Sequence, residues 1–64
     1  MLTDSRLILS RLKREGWELV RTRGSHHIFR HATSGALVVV PHPEKDLPVG
    51  TVRNIYRAAG WPTT

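Results

Sequence analysis

The chain has 64 residues, no cysteine, and ten Lys and Arg against five Asp and Glu, a formal net charge of +5. That length holds one domain, residues 1–64, and the lack of thiols excludes disulfide staples and thiolate metal sites and fits a reducing cytoplasm. The cations are mostly Arg, whose planar fork suits phosphate, so the charge points to nucleic acid or an acidic protein. A membrane role is disfavoured, because no apolar run approaches the ~20 residues that span a bilayer and the opening residues lack a signal-peptide core.

Thr3 and Asp4 offer side-chain caps to a helix over residues 5–15. Ile8 and Leu12, with Leu9, form its apolar stripe, while Arg6, Arg11 and Lys13 or Arg14 are free to face water. Basic residues in the last turn and Gly16 beyond them are stop signals. A charge run of this kind is usually only a solvated face.

Residues 17–23 and 26–31 read as two strands joined by Gly24 and Ser25, a two-residue turn of type II′. That turn sets Arg23 opposite His26, Thr22 opposite His27, Arg21 opposite Ile28, Val20 opposite Phe29 and Leu19 opposite Arg30. Strict alternation then gives one face Val20 and Phe29, with Glu18, Thr22, His27 and His31 at its margins. The other face receives Arg21, Arg23, His26 and Arg30 together with Leu19 and Ile28. The first face is the better one to meet helices; the second can stay wet. A slip of one residue would exchange His26 and His27.

Residues 32–35 are turn chemistry, and Leu37 to Val40 is a β-branched run that Pro41 ends. Residues 44–50 follow as a polar crossing loop. Thr51 is the N-cap expected of a second helix, in which Val52, Ile55, Tyr56 and Ala59 fall at i, i+3, i+4 and i+7. Gly60 and Pro62 end it, with Trp61 folding back as a lid. The predicted fold is α+β in the order α-β-β-β-α. Two helices cover one face of a three-stranded antiparallel sheet, the order of a minimal double-stranded-RNA-binding domain.

Among the four histidines, His26 has the pattern best suited to chemistry. Imidazole titrates near pH 6.5, so it can take and return a proton. Neighbouring Arg21, Arg23 and Arg30 disfavour its charged form and can hold a phosphodiester. A histidine acting on a ribose 2′-hydroxyl would make RNA the substrate. Pattern alone leaves this open against a histidine that merely fills a strand position. His27 shares the Phe29 face as a partly buried group with a backbone partner, and His31 and His42 sit at strand ends in solvent. Gly24 and Ser25 can offer N–H groups to phosphate, although a plain hairpin explains both. Lys45 and His42 can supply a second charge or proton from the crossing loop. No zinc pattern and no nucleophile elbow is present.

Gly16-Trp17, Gly24-Ser25-His26-His27-Ile28-Phe29, Val40-Pro41-His42-Pro43, Asp46-Leu47-Pro48, Gly50-Thr51 and Ala59-Gly60 occur in the order of the HicA toxin family, which the chain resembles from Ser5 to Trp61. The resemblance implies a double-stranded-RNA-binding-like fold and cofactor-free, metal-independent cleavage of mRNA that arrests translation. It implies a HicB antitoxin that covers the active surface, and contact with DNA only through that antitoxin. The family's catalytic histidine follows Gly-Ser, which carries over to His26; members with a histidine one position later leave His27 as the alternative. Arg21, Arg23, Gly24, Ser25, Arg30 and Lys45 are the candidate RNA contacts. Trp61 departs from the aliphatic residue usual after Ala-Gly. Two other readings are a non-catalytic RNA-binding module and a basic protein whose only task is to bind an acidic partner.

Overall fold

Asp4 starts the first helix. Its carboxylate accepts the Arg6 backbone N–H at 3.0 Å and pairs with the Arg6 guanidinium at 3.0 Å, giving one exposed N–H of the first turn an acceptor. In the computed structural model, which describes residues 1–63, this helix is α1 (Ser5–Arg14). It is followed by β1 (Trp17–Arg23), β2 (His26–His31), β3 (Leu37–Pro41) and α2 (Val49–Ala59). The strands form one antiparallel sheet in the order β1-β2-β3. The predicted α-β-β-β-α order and α+β class are what the structure shows.

The two helices lie on one face of that sheet. Ile8, Leu9 and Leu12 of α1 and Val52, Ile55 and Tyr56 of α2 meet Trp17, Phe29, Val38 and Val40 in a single buried cluster. Phe29, at the centre of the middle strand, is wholly buried. The remaining members come from outside the regular elements: Leu47 from the loop before α2, and Trp61 from beyond its end. The crossing loop is therefore not polar throughout. Leu47 is pinned by its N–H to the Thr3 carbonyl at 2.9 Å and adds an apolar plug.

The hairpin register departs from simple alternation at one point. Arg23 opposes His26, Thr22 opposes His27 and Arg21 opposes Ile28 as predicted, but Leu19 then opposes Phe29, Glu18 opposes Arg30 and Trp17 opposes His31. Val20 is the extra residue of a β-bulge. Strict alternation would put Trp17 on the face of Arg21 and Arg23; the bulge turns it under the helices instead. Leu19 moves to the Phe29 side and Glu18 to the Arg30 side, the reverse of the sequence expectation. Leu19 and Val20 stay 48% and 47% exposed on the edge strand.

Helix α2 starts earlier than Thr51. Pro48 occupies its N-cap position without a side-chain cap bond, and the Val52 N–H reaches the Pro48 carbonyl at 3.0 Å. Thr51 therefore lies in the first turn, and Pro48 enters with the backbone angle its ring already imposes. At the other end Gly60 adopts φ +75° and the Trp61 N–H returns to the Tyr56 carbonyl at 2.8 Å. This reversal brings Trp61 across α1. Its indole N–H donates to Glu15 at 2.7 Å, its ring lies under the Arg11 guanidinium at 4.1 Å, and it meets Tyr56 edge-on. Arg11, expected in water, instead clamps Trp61 while binding Glu15 at 2.9 Å.

A chain of this size has a core worth only about 3–5 kcal/mol, so the loss of one large side chain is decisive. Trp61→Ala, at roughly 3–5 kcal/mol, is expected to leave the chain largely unfolded. Trp61→Phe keeps a ring but removes the indole hydrogen bond to Glu15, which keeps its bond to Arg11, and is expected to cost about 0.5–1.5 kcal/mol in urea denaturation. The Arg11 guanidinium, then the Trp61 N–H, hold the Glu15 carboxyl below its ordinary range. Its contribution to stability is thus complete above the unfolded-state value of about 4.3 and is lost as pH falls through the lower folded value. Urea midpoints of wild type and Glu15→Gln are expected to differ at pH 6 and to converge toward pH 3.

Candidate functional site

Gly24 has φ +57° and no other residue type in the chain's described part has a positive φ, so Ser25 does not. This fits the type II′ turn and excludes type I′, which needs positive φ at both central residues. The turn closes the Arg23–His26 rung, and the alternation beyond it assigns the two faces. His26, Ile28 and Arg30 of β2 share the face away from the helices with Arg21 and Arg23 of β1 and with Leu37, Val39 and Pro41 of β3. Arg21, Arg23, His26 and Arg30 are all exposed.

The charges on this face are unpaired by protein. Among the described residues the ion pairs are Arg6–Asp4 and Arg11–Glu15, both on α1. Glu18 stands opposite Arg30 in register but makes no ion pair with it. Three guanidinium groups are thus available to an anion arriving from solvent, around apolar ground formed by Ile28, Leu37 and Val39. His26 also borders a groove of about 350 Å³ along the edge strand β3, whose far wall is Thr51, Asn54, Ile55 and Ala58 of α2. The sequence reading missed this wall. Its signal was the i, i+3, i+4, i+7 spacing of Thr51, Asn54, Ile55 and Ala58, three of them beside the apolar stripe.

The other three histidines are built into the helix side. His27, opposite Val40, is half-buried; its Nδ1 is buried without a hydrogen-bond partner, and its ring meets that of His42 edge-on at 5.0 Å. Among the described residues the imidazole of His27 makes no hydrogen bond to backbone, against the expectation of a backbone partner. His31 is not free in solvent: its Nδ1 accepts the N–H groups of Thr33 and Ser34 at 3.2 and 3.4 Å, so Nε2 carries the hydrogen and donates to the Glu15 carbonyl at 3.1 Å. His42 likewise is held, with Nδ1 2.7 Å from the Ser5 hydroxyl. Lys45 lies near Asp4, the residue that caps α1. Its charge adds, after the Arg6 side-chain and backbone bonds and the Arg6 charge, to what keeps the Asp4 carboxyl low.

Among the described residues no group of three His, Cys, Asp or Glu side chains is placed to hold a metal ion, and no helix is long and apolar enough to cross a membrane. A family model described as the HicA toxin of bacterial toxin-antitoxin matches residues 5–61. A search of curated proteins gives no match.

The turn itself is open to test. An added Cβ at Gly24 meets nothing within 4 Å, so the cost of Gly24→Ala is conformational alone. It is expected to lower stability by about 1–2 kcal/mol, read as a shift of the urea midpoint with unchanged slope.

Proposed function

The chain belongs to the HicA toxin family of bacterial toxin–antitoxin systems, and we propose that it acts as a cytoplasmic endoribonuclease that cuts mRNA with His26 as its general base. Membership of a toxin–antitoxin family implies a cognate antitoxin; a HicB-like protein covering the arginine face is the partner this reading assigns. One observation carries the assignment. Of four imidazoles, His26 alone is exposed, and it stands on the face that holds three cations free of protein carboxylates. His27, the alternative, has its ring against His42 on the helix side.

In this reading the RNA backbone lies across the open face with a phosphodiester held by Arg23 and Arg30, and by Arg21, which stands in register between them. Neutral His26 takes the proton of the adjacent ribose 2′-hydroxyl as its oxygen attacks phosphorus. The guanidinium groups, with the N–H groups at Gly24 and Ser25, offset the charge that grows on the nonbridging oxygens. The P–O5′ bond breaks as the leaving oxygen takes a proton from the imidazolium, which leaves a 2′,3′-cyclic phosphate and a 5′-hydroxyl. DNA lacks the nucleophile and is not cut.

His26→Ala is expected to lower the cleavage rate by about 10²–10⁴-fold with RNA affinity retained, and His27→Ala to keep most activity. Arg23→Ala and Arg30→Ala are each expected to weaken RNA binding and reduce its salt slope by about one. End-group analysis should show the cyclic phosphate. Binding without cleavage by purified wild type would instead favour a non-catalytic RNA-binding module, and absence of both would favour a protein-binding role.

A further inference from the structure

Ser5 is the one buried polar residue among those described, at 0% exposure. Its hydroxyl oxygen accepts the Glu44 N–H at 2.9 Å and lies 2.7 Å from His42 Nδ1, while its own N–H donates to the Glu44 carbonyl at 2.9 Å. The main chain of His42 donates to the Ser25 carbonyl at 2.7 Å. That bond lies just past the His26–Pro41 rung, at the end of the β2–β3 ladder. The side chain of the same residue abuts His27. His42 therefore touches the first turn of α1, the residue before His26 and the residue after it.

We propose that Ser5 and His42 are positioning residues: together they fix the turn and imidazole of His26 against α1, an inference that rests on the ribonuclease reading. A two-residue turn at the end of a ladder is where a sheet frays. Here the terminal bond is held from its other end, because the residue supplying its N–H has its ring bonded to the buried Ser5 of α1. The hydrogen inventory makes the joint directional. Glu44 already donates to the Ser5 oxygen, so the hydroxyl hydrogen is free for His42 Nδ1, and His42 then carries its own hydrogen on Nε2. Were Nδ1 to carry the hydrogen, the buried hydroxyl would lose its acceptor. The unpartnered Nδ1 of His27 leaves that ring with the His42 edge contact in place of a hydrogen bond at that nitrogen.

The test is steady-state cleavage of a single-stranded RNA oligonucleotide by the full chain, with Trp61→Phe as a control that removes the Trp61–Glu15 bond at the far end of α1. Ser5→Ala and His42→Ala are expected to lower kcat about tenfold or more with KM within about twofold of wild type. His42→Asn, whose carbonyl oxygen stands near the Nδ1 position, is expected to recover most of the loss; His42→Gln, whose polar group reaches past it, is not. Trp61→Phe is expected to lose stability without that fall in kcat. Wild-type kcat in folded Ser5→Ala, or an equal fall in Trp61→Phe, would overturn the proposal. If Ser5→Ala does not fold, the Asn–Gln contrast at His42 decides, and equal kcat for the two overturns it. If wild type cuts no RNA, the ribonuclease reading has failed separately. Amide exchange at His42 and the His26 ring resonances in Ser5→Ala then decide, and no change in either overturns the positioning role.

Discussion

One inserted residue lets a single strand serve two masters. The segment Trp17–Arg23 has to bury an indole under the helices at its start and present two guanidinium groups to solvent at its end. Residues 17, 21 and 23 have the same parity, so an unbroken strand would send all three to one face. Turning Trp17 under the helices would then carry Arg21 and Arg23 to the helix side as well, away from the face that holds His26 and Arg30. The bulge at Val20 reverses parity between the two ends. The helix-side core and the cationic open face are thus both consequences of that one irregularity.

Charge is sorted along the same division. Two of the five carboxylates are spent on α1: Asp4 caps the helix and binds Arg6, and Glu15 receives Arg11 and the Trp61 N–H. Each of those carboxylates therefore neutralises a cation that belongs to the scaffold. The sheet arginines have no such partner among the described residues, and Glu18, the one acid in the strands, is not close enough to pair with Arg30. The surplus positive charge is consequently concentrated by bookkeeping at the scaffold and not by a run of cations in the chain. For a phosphate ligand that matters more than the net total, because an Arg already bound to a carboxylate has fewer donors to give.

Much of this was legible in the sequence, and the failures have identifiable causes. Periodicity at Ile8, Leu12, Val52, Ile55 and Tyr56, and the Gly24-Ser25 turn, suffice for the order of elements and for the first three rungs of the hairpin. His26 and the three sheet arginines were placed together correctly, because that part of the register depends only on the turn. Leu19, Val20 and Glu18 were misassigned because a bulge has no residue signature in a strand that lacks an internal glycine. The early start of α2 was missed because Thr51 is a better side-chain cap than Pro48, yet the backbone entered the helix without one. His31 and His42 were read as solvated since their partners, Glu15 and Ser5, are distant in sequence; no local pattern could report them.

Those two histidines bear on how so short a chain holds its shape. Its apolar cluster has twelve buried members, too few to specify every loop by packing alone. Each weakly packed junction instead carries a polar pin with defined geometry. His31 ties the end of β2 and the following turn to the carbonyl of Glu15, the residue that caps α1; His42 ties the end of β3 to the first turn of the same helix. Hydrogen bonds of this kind add only about 1 kcal/mol each, but they are directional where hydrophobic contact is not. They therefore fix orientation more than they add stability. His26 differs from them in having no protein partner at all among the hydrogen bonds of the described residues. In a fold that recruits its other end-of-strand imidazoles as joints, an unrecruited one beside three unpaired cations is available for something outside the chain.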